Sequence, residues 1–111
     1  MEQNHDCIFC KIINGTIQSA FVAENDWCIV INDIHPKAPV HYLVIPKKHI
    51  ENLQHMTESD VPLVGQMMRT AQQIMASQSA FRLIMNNGAY AGQSVFHMHC
   101  HLLAGKQMSD F

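Results

Sequence analysis

Apolar residues alternate in short runs over most of this chain and switch to helical spacing in one long stretch. Phe21 to Glu24 reads as a strand, Asn25-Asp26 as a hairpin turn, and Trp27 to Asn32 as the returning strand. In the returning strand Trp27, Ile29 and Ile31 fall on one face, Cys28 and Val30 on the other. Pro36 and Pro39 bound a loop from Asp33 to Val40, and His41 to Ile45 is a third strand stopped by Pro46. Thr57 to Ser77 is the long helix. Val64, Met67, Met68, Ala71, Ile74 and Met75 follow its period, Thr57 and Asp60 have capping-box spacing, and Pro62 sits in the first turn. That methionine-rich stripe packs a core, with a share left for a subunit contact. Phe81 to Asn86 and Val95 to Ala104 are the fourth and fifth strands, with Asn87-Gly88 and Ala91-Gly92 marking the loop between them. Ahead of the strands, Cys7 to Asn14 makes one or two helical turns closed by Gly15, and residues 1–6 form a mobile tail. Strands, one helix and further strands without βαβ alternation predict an α+β fold with a five-stranded antiparallel sheet.

Composition narrows the function. The 111 residues suffice for one domain spanning 1–111. With 48% hydrophobic and 14% charged residues the surface is fairly apolar, which favours a partner subunit. A net charge of -2 gives no basic field for a nucleic acid polymer. No apolar run approaches the ~20 residues of a membrane span. The polar start, Met1 to Asp6, is unlike a secretory signal, so the expected location is cytoplasmic. Cys28 and Cys100 alternate with apolar neighbours and read as small buried hydrophobes.

Eight histidines point to chemistry or metal, and three of them alternate: His97, His99 and His101. On an extended strand their rings share one face, about 7 Å apart in succession, while Met98, Cys100 and Leu102 face a core. His97 and His101 would stand about 13 Å apart, too far for one ion on a straight strand, so the row divides its roles. The central His99 is the natural nucleophile or base. Neutral imidazole could attack phosphorus to give a phosphoramidate that water then cleaves. Backbone amides from Gly92 to Ser94 could cradle the phosphate. Cys7-x-x-Cys10 on spacing alone fits buried apolar thiols, a redox pair or half of a metal site. His41 reads as support for the sheet or the nucleotide site; His5, His35 and His55 read as exposed.

The run His97 to Leu103 resembles the signature of the histidine-triad (HIT) superfamily, His-φ-His-φ-His-φ-φ with φ hydrophobic. The blocks Asp33 to Ile50, Gly92 to Val95 and Gln107-Met108 are similar to its nucleotide-binding branch. The resemblance implies an α+β antiparallel sheet and a homodimer. It implies His99 as nucleophile at the α-phosphorus of a nucleotide. His101 would contact phosphate oxygens, Gln93 and Ser94 would bind phosphate with Ser94 near the leaving group, and Asn86 would support the triad. Asp33 would hold the ribose, Ile8, Phe9, Ile12, Ile31 and Ile34 would form the base pocket, and Gly92 and Val95 would also bind the nucleotide. It also implies zinc, as in bacterial-type members, on Cys7, Cys10, His49 and His97. The last residues, Gln107 to Phe111, hold no counterpart of the C-terminal Trp found in eukaryotic-type members, for which Phe111 would be a partial substitute.

The resulting expectation is a zinc-bearing hydrolase or nucleotidyl transferase of purine nucleoside phosphoramidates, working through a nucleotidyl-His99 intermediate. Its rivals are a dinucleoside polyphosphate hydrolase, a regulatory module that binds nucleotide without turnover, and a zinc protein whose triad is structural.

Overall fold

The computed structural model describes residues 4–110; residues 1–3 of the expected tail and Phe111 lie outside the described residues. Helix α1 (Ile8–Ile13) comes first, followed by strands β1 (Phe21–Glu24), β2 (Cys28–Asn32) and β3 (Val40–Pro46). Helix α2 (Val61–Ile74) precedes β4 (Arg82–Ile84) and β5 (Cys100–Ala104). The five strands form one sheet in the order β1-β2-β3-β5-β4, with every neighbouring pair antiparallel.

Alternation along the strands splits the core into two clusters. Cys28 and Val30 of β2, Val44 of β3, and Cys100 and Leu102 of β5 face α2, where they meet Leu63, Met67 and Ala71, and Met75 just past its end. Ile29, Ile31, Leu43 and Ile45 face the other way and are covered by Phe9 and Ile12 of α1. The sheet is therefore apolar on both faces, but α1 is too short to cover the second one fully. The rest of that face is left to the histidines.

Several boundaries differ from the sequence expectation. Trp27 lies outside β2 and is exposed, because Asn25 takes both the Trp27 and Cys28 amides on its side-chain oxygen and holds the turn together up to that point. The expected helix start becomes a 3-10 turn, Glu58–Asp60, with α2 proper beginning at Val61. Pro62 has no amide to donate there. The capping relation survives, as the Thr57 amide donates to the Asp60 carboxylate at 2.9 Å. Helix α2 stops at Ile74 rather than Ser77, and Met68, on the predicted stripe, is 40% exposed.

The largest difference is in the fifth strand. Only residues from Cys100 onward are in β5, so His101 is on the strand while His97 and His99 precede it. Here the chain bends at 95–97, and the Met98 amide is taken by the Ile50 carbonyl at 2.6 Å instead of a sheet neighbour. The alternation nevertheless persists through the bend. Met98 joins the α2 cluster, while His97 and His99 stand edge-on to Phe9 on the α1 side.

Candidate metal centre and phosphate cleft

Four of the expected residues meet at the start of α1. Cys7 caps the helix and Cys10 lies one turn on, so both sulfurs face the same side. His97 Nδ1 is 3.3 Å from Cys7 Sγ and 3.5 Å from Cys10 Sγ. His49 Nδ1 is 3.4 Å from Cys10 Sγ and 3.2 Å from His97 Nδ1. Edges of a tetrahedron built with Zn–N near 2.0–2.1 Å and Zn–S near 2.3 Å are about 3.3–3.8 Å, so the four donor atoms fit one such ion. The His97 Nε2–H donates to the Pro46 carbonyl at 2.7 Å, which leaves the Nδ1 lone pair for a metal. Two backbone amides also aim at sulfur, Asn4 N–H at Cys10 and Cys10 N–H at Cys7, as suits thiolates. Burial raises the Cys10 thiol and lowers His97 to about 4, so without a cation both would be neutral. A divalent ion reverses the preference of the thiol. Cys7, Cys10, His49 and His97 thus lie close enough together to bind a metal.

The other two triad histidines border two adjoining clefts. The more polar cleft, about 340 Å³, is lined by Asp33, Asn86, Gly92, Ser94, His99 and His101, with His35, Lys37 and His41 also present. The more apolar one, about 270 Å³, is walled by Ile8, Phe9, Ile12, Ile31, Ile34, Leu43 and Val95. Asp33, His35, Ser94, His99 and His101 belong to both. All five residues expected for a base pocket line the apolar cleft, although Ile34 is 87% exposed and forms only its outer lip.

Hydrogen bonds fix the protons on these rings. His99 Nδ1–H donates to the His97 carbonyl at 2.7 Å, leaving Nε2 with the lone pair. His41 Nδ1 accepts the Lys37 backbone amide at 3.0 Å, so the His41 proton is on Nε2. That proton is donated to His101 Nδ1 at 2.9 Å, which places the proton of His101 on Nε2. One neighbour is therefore a lone-pair donor and the other a hydrogen-bond donor. Burial lowers His99, and burial with the His99 and His41 rings holds His101 down to about 4, so both are neutral at pH 7. Asp33 approaches the same pair, at 3.5 Å from His41 Nε2 and 3.8 Å from His101 Nδ1. Asp33, His41 and His101 also have the composition of a metal triad. The proton on His41 Nε2 makes the cluster a hydrogen-bond relay instead.

Not every expected residue reaches the clefts. The side chain of Gln93 is buried and fully bonded elsewhere, and it lines neither cleft. The amides of Gly92 and Gln93 close the loop's own turn on Ala89 and Gly88, so neither is left for phosphate. Ser94 is exposed beside His99, and its amide has no hydrogen-bond partner among the described residues. Gly92 adopts φ 99°, and a Cβ built there would lie 3.8 Å from the Asn86 side chain, so the loop runs close over Asn86. His41 proves to be a member of the site. The available signal was an inward-facing polar residue on an otherwise apolar strand. Lys37 and His35 at the cleft edge had no such signal.

Comparison with known proteins places this arrangement. The family model described as "Scavenger mRNA decapping enzyme C-term binding" matches residues 6–111. A HIT-like protein of Synechocystis is 44% identical over 107 residues, covering 94% of each chain. A solved HIT family hydrolase from Clostridium thermocellum superposes with a TM-score of 0.93 at 39% identity, covering 98% of both chains. A histidine triad protein from Clostridium difficile gives a TM-score of 0.94 at 39% identity, covering 99% of both chains. A Legionella pneumophila HIT family hydrolase gives 0.90 at 37%, covering 94% of this chain and 96% of its own. With the fold, the alternating histidines and these likenesses in agreement, the chain belongs to the histidine-triad (HIT) superfamily.

Proposed function

We propose that the protein is a nucleotide hydrolase acting at the α-phosphorus of purine nucleoside phosphoramidates or related nucleotides, through a covalent nucleotidyl-His99 intermediate. The observation that carries this reading is the proton arrangement of the two neighbouring rings. His99 Nε2 bears a lone pair, and His101 Nε2 bears a proton, where a polar and an apolar cleft join.

Roles follow from that arrangement. A flat base enters the apolar cleft between Phe9, Ile31 and Val95, and the ribose hydroxyls meet Asp33. One Asp33 oxygen already accepts the His35 amide, and the carboxylate has lone pairs to spare. The phosphate lies against Ser94, His101 and Asn86. His99 Nε2 attacks phosphorus, the bond to the leaving group breaks, and the leaving group departs with the electron pair. The His101 Nε2–H donates to phosphate oxygen as charge develops, and the Ser94 hydroxyl is the donor at the leaving-group side. Water then attacks the same phosphorus and gives up a proton to the departing amine or to solvent, the P–N bond breaks with its electron pair returning to His99 Nε2, and a nucleoside monophosphate is released. The metal on Cys7, Cys10, His49 and His97 is zinc in this reading, supported by the tetrahedral spacing and the sulfur-nitrogen ligand set. Its part is to hold α1, and with it Phe9 and Ile12, against the sheet.

A homodimer and a cytoplasmic setting belong to the same reading. Edge strand β4, with Phe81 exposed beside it, supports the first; four free cysteines support the second. The deciding experiment uses wild type and His99→Ala with adenosine 5′-phosphoramidate. The variant should bind AMP as wild type does, lose the trapped nucleotidyl adduct, and turn over slower by a factor on the order of 10³ or more. Turnover equal to wild type would sink the covalent route. Nucleotide binding by wild type with no adduct would favour the regulatory module.

A further inference from the structure

We infer that Gln93 is a positioning residue that sets the phosphate loop, residues 88–94, at its working distance from His99; this deepens the hydrolase reading above and rests on it. The Gln93 side chain uses every hydrogen-bonding valence an amide has. Its Nε2 donates to the Glu51 carbonyl at 2.7 Å and the Val95 carbonyl at 3.1 Å. Its Oε1 accepts from the Gly88 amide at 2.8 Å and the Asn52 side-chain amide at 3.2 Å. Both donors point at carbonyls and both acceptors at N–H groups, so the side chain has one satisfactory orientation.

Those four bonds join three separate pieces of chain. Glu51 and Asn52 follow the metal-ligand candidate His49, Gly88 opens the phosphate loop, and Val95 leads into the triad. Gly88 is gripped twice, since its carbonyl also accepts the Gln93 backbone amide at 3.1 Å. The loop closed in this way contains Gly92 and ends on Ser94, both lining the phosphate cleft, whereas Gln93 itself touches neither cleft. A buried amide bonded to this extent transmits position, because any displacement of the loop leaves polar groups unpaired in a buried site.

Gln93→Glu tests the proposal with little change of shape. The two donors become lone pairs facing the Glu51 and Val95 carbonyls, while the acceptors are retained. Three readouts are compared below the melting temperature: kcat and KM for adenosine 5′-phosphoramidate, affinities for AMP and adenosine, and hydrogen exchange of the 88–95 amides. Expected are a kcat reduced 10- to 100-fold, AMP bound about tenfold more weakly, adenosine affinity within twofold of wild type, and faster exchange confined to the loop. A merely structural role would weaken adenosine and AMP together. Asn52→Ala, which removes one of the four bonds, should shift the same readouts in the same direction by a smaller factor, and serves if Gln93→Glu does not fold. Unchanged kcat and unchanged loop exchange in a folded variant would overturn the proposal. Wild type that neither binds nor cleaves nucleotide would overturn the hydrolase reading itself, and loop exchange would still report whether Gln93 holds the loop.

Discussion

His41 Nε2 lies 2.9 Å from His101 Nδ1, and the Lys37 backbone amide on the far side of His41 decides which of the two nitrogens carries the proton. The state of His101 is thus determined on the far side of a second ring, by a main-chain group that cannot titrate. His41→Ala removes that constraint and lets the His101 proton sit on either nitrogen. Turnover should fall about 10- to 100-fold with AMP affinity changed much less. Ring-nitrogen NMR of His101 should show the Nε2–H form in wild type and a mixture in the variant; a single unchanged form would refute the relay.

Stability should depend on pH through the same ring. His101 is held near 4 when folded, against an unperturbed value near 6.5, so the unfolded chain binds more protons between those limits. Its contribution is fully present above about pH 6.5 and is lost as pH falls through 4. Urea midpoints measured from pH 7.5 to 4.5 should decline, and His101→Gln should flatten the decline.

In the proposed reading, removing the metal should reach the apolar cleft. Cys10→Ser, or prolonged treatment with a strong chelator, should lower the melting temperature and weaken AMP binding, since α1 carries both Cys10 and the pocket residues Phe9 and Ile12. Elemental analysis of wild type should give about one zinc per chain in this reading. Cys28→Ser, at a buried sulfur outside the cluster, should leave metal content unchanged.

The methionine stripe of α2 should prove energetically uneven. Met67 is fully buried against the sheet, and Met67→Ala should cost about 2–5 kcal/mol in urea unfolding. Met68→Ala, at an exposed site in the single chain, should stay within about 0.5 kcal/mol. A large loss for Met68 that depends on protein concentration would instead mark it as a subunit contact.

Asp60 receives Lys48 Nζ at 2.6 Å and the Thr57 amide at 2.9 Å, and these partners hold its carboxyl below the usual range. Its support is present above about pH 4 and lost as the carboxylate protonates at lower pH. Asp60→Ala should cost about 1–2 kcal/mol at pH 7, and the difference from wild type should shrink in acid.

Much of this was legible in advance because it is written in side-chain types. Alternation revealed which faces of β2 and β5 are buried, and the Cys7, Cys10, His49 and His97 set was recoverable from ligand chemistry plus resemblance. What stayed hidden was decided by backbone groups. The Pro46, Ile50 and His97 carbonyls direct His97, Met98 and His99, and so shorten the fifth strand at its start. The Lys37 amide orients His41, and the loop's own closure uses the Gly92 and Gln93 amides on Ala89 and Gly88 rather than leaving them for a ligand. Every residue but proline has a carbonyl and an amide, so no residue letter announces which of them will be used.

The five residues from His49 to Leu53 carry one consequence of that kind. His49 turns its ring to the cysteines, Ile50 offers its carbonyl to Met98, Glu51 offers its carbonyl to Gln93, Asn52 gives its side-chain amide to Gln93, and Leu53 gives its amide to Asn87 at 2.8 Å. Consecutive links of a single ribbon thus serve as the ruler between the cysteine-histidine cluster, the triad and the 88–94 loop. Such a ruler tolerates new side chains at Leu53, and at Glu51, whose carboxylate only pairs with exposed His55 at 2.8 Å, far better than one residue more or one fewer. Outside His49 and Asn52, whose side chains are used, length rather than composition is what this stretch of chain has to keep.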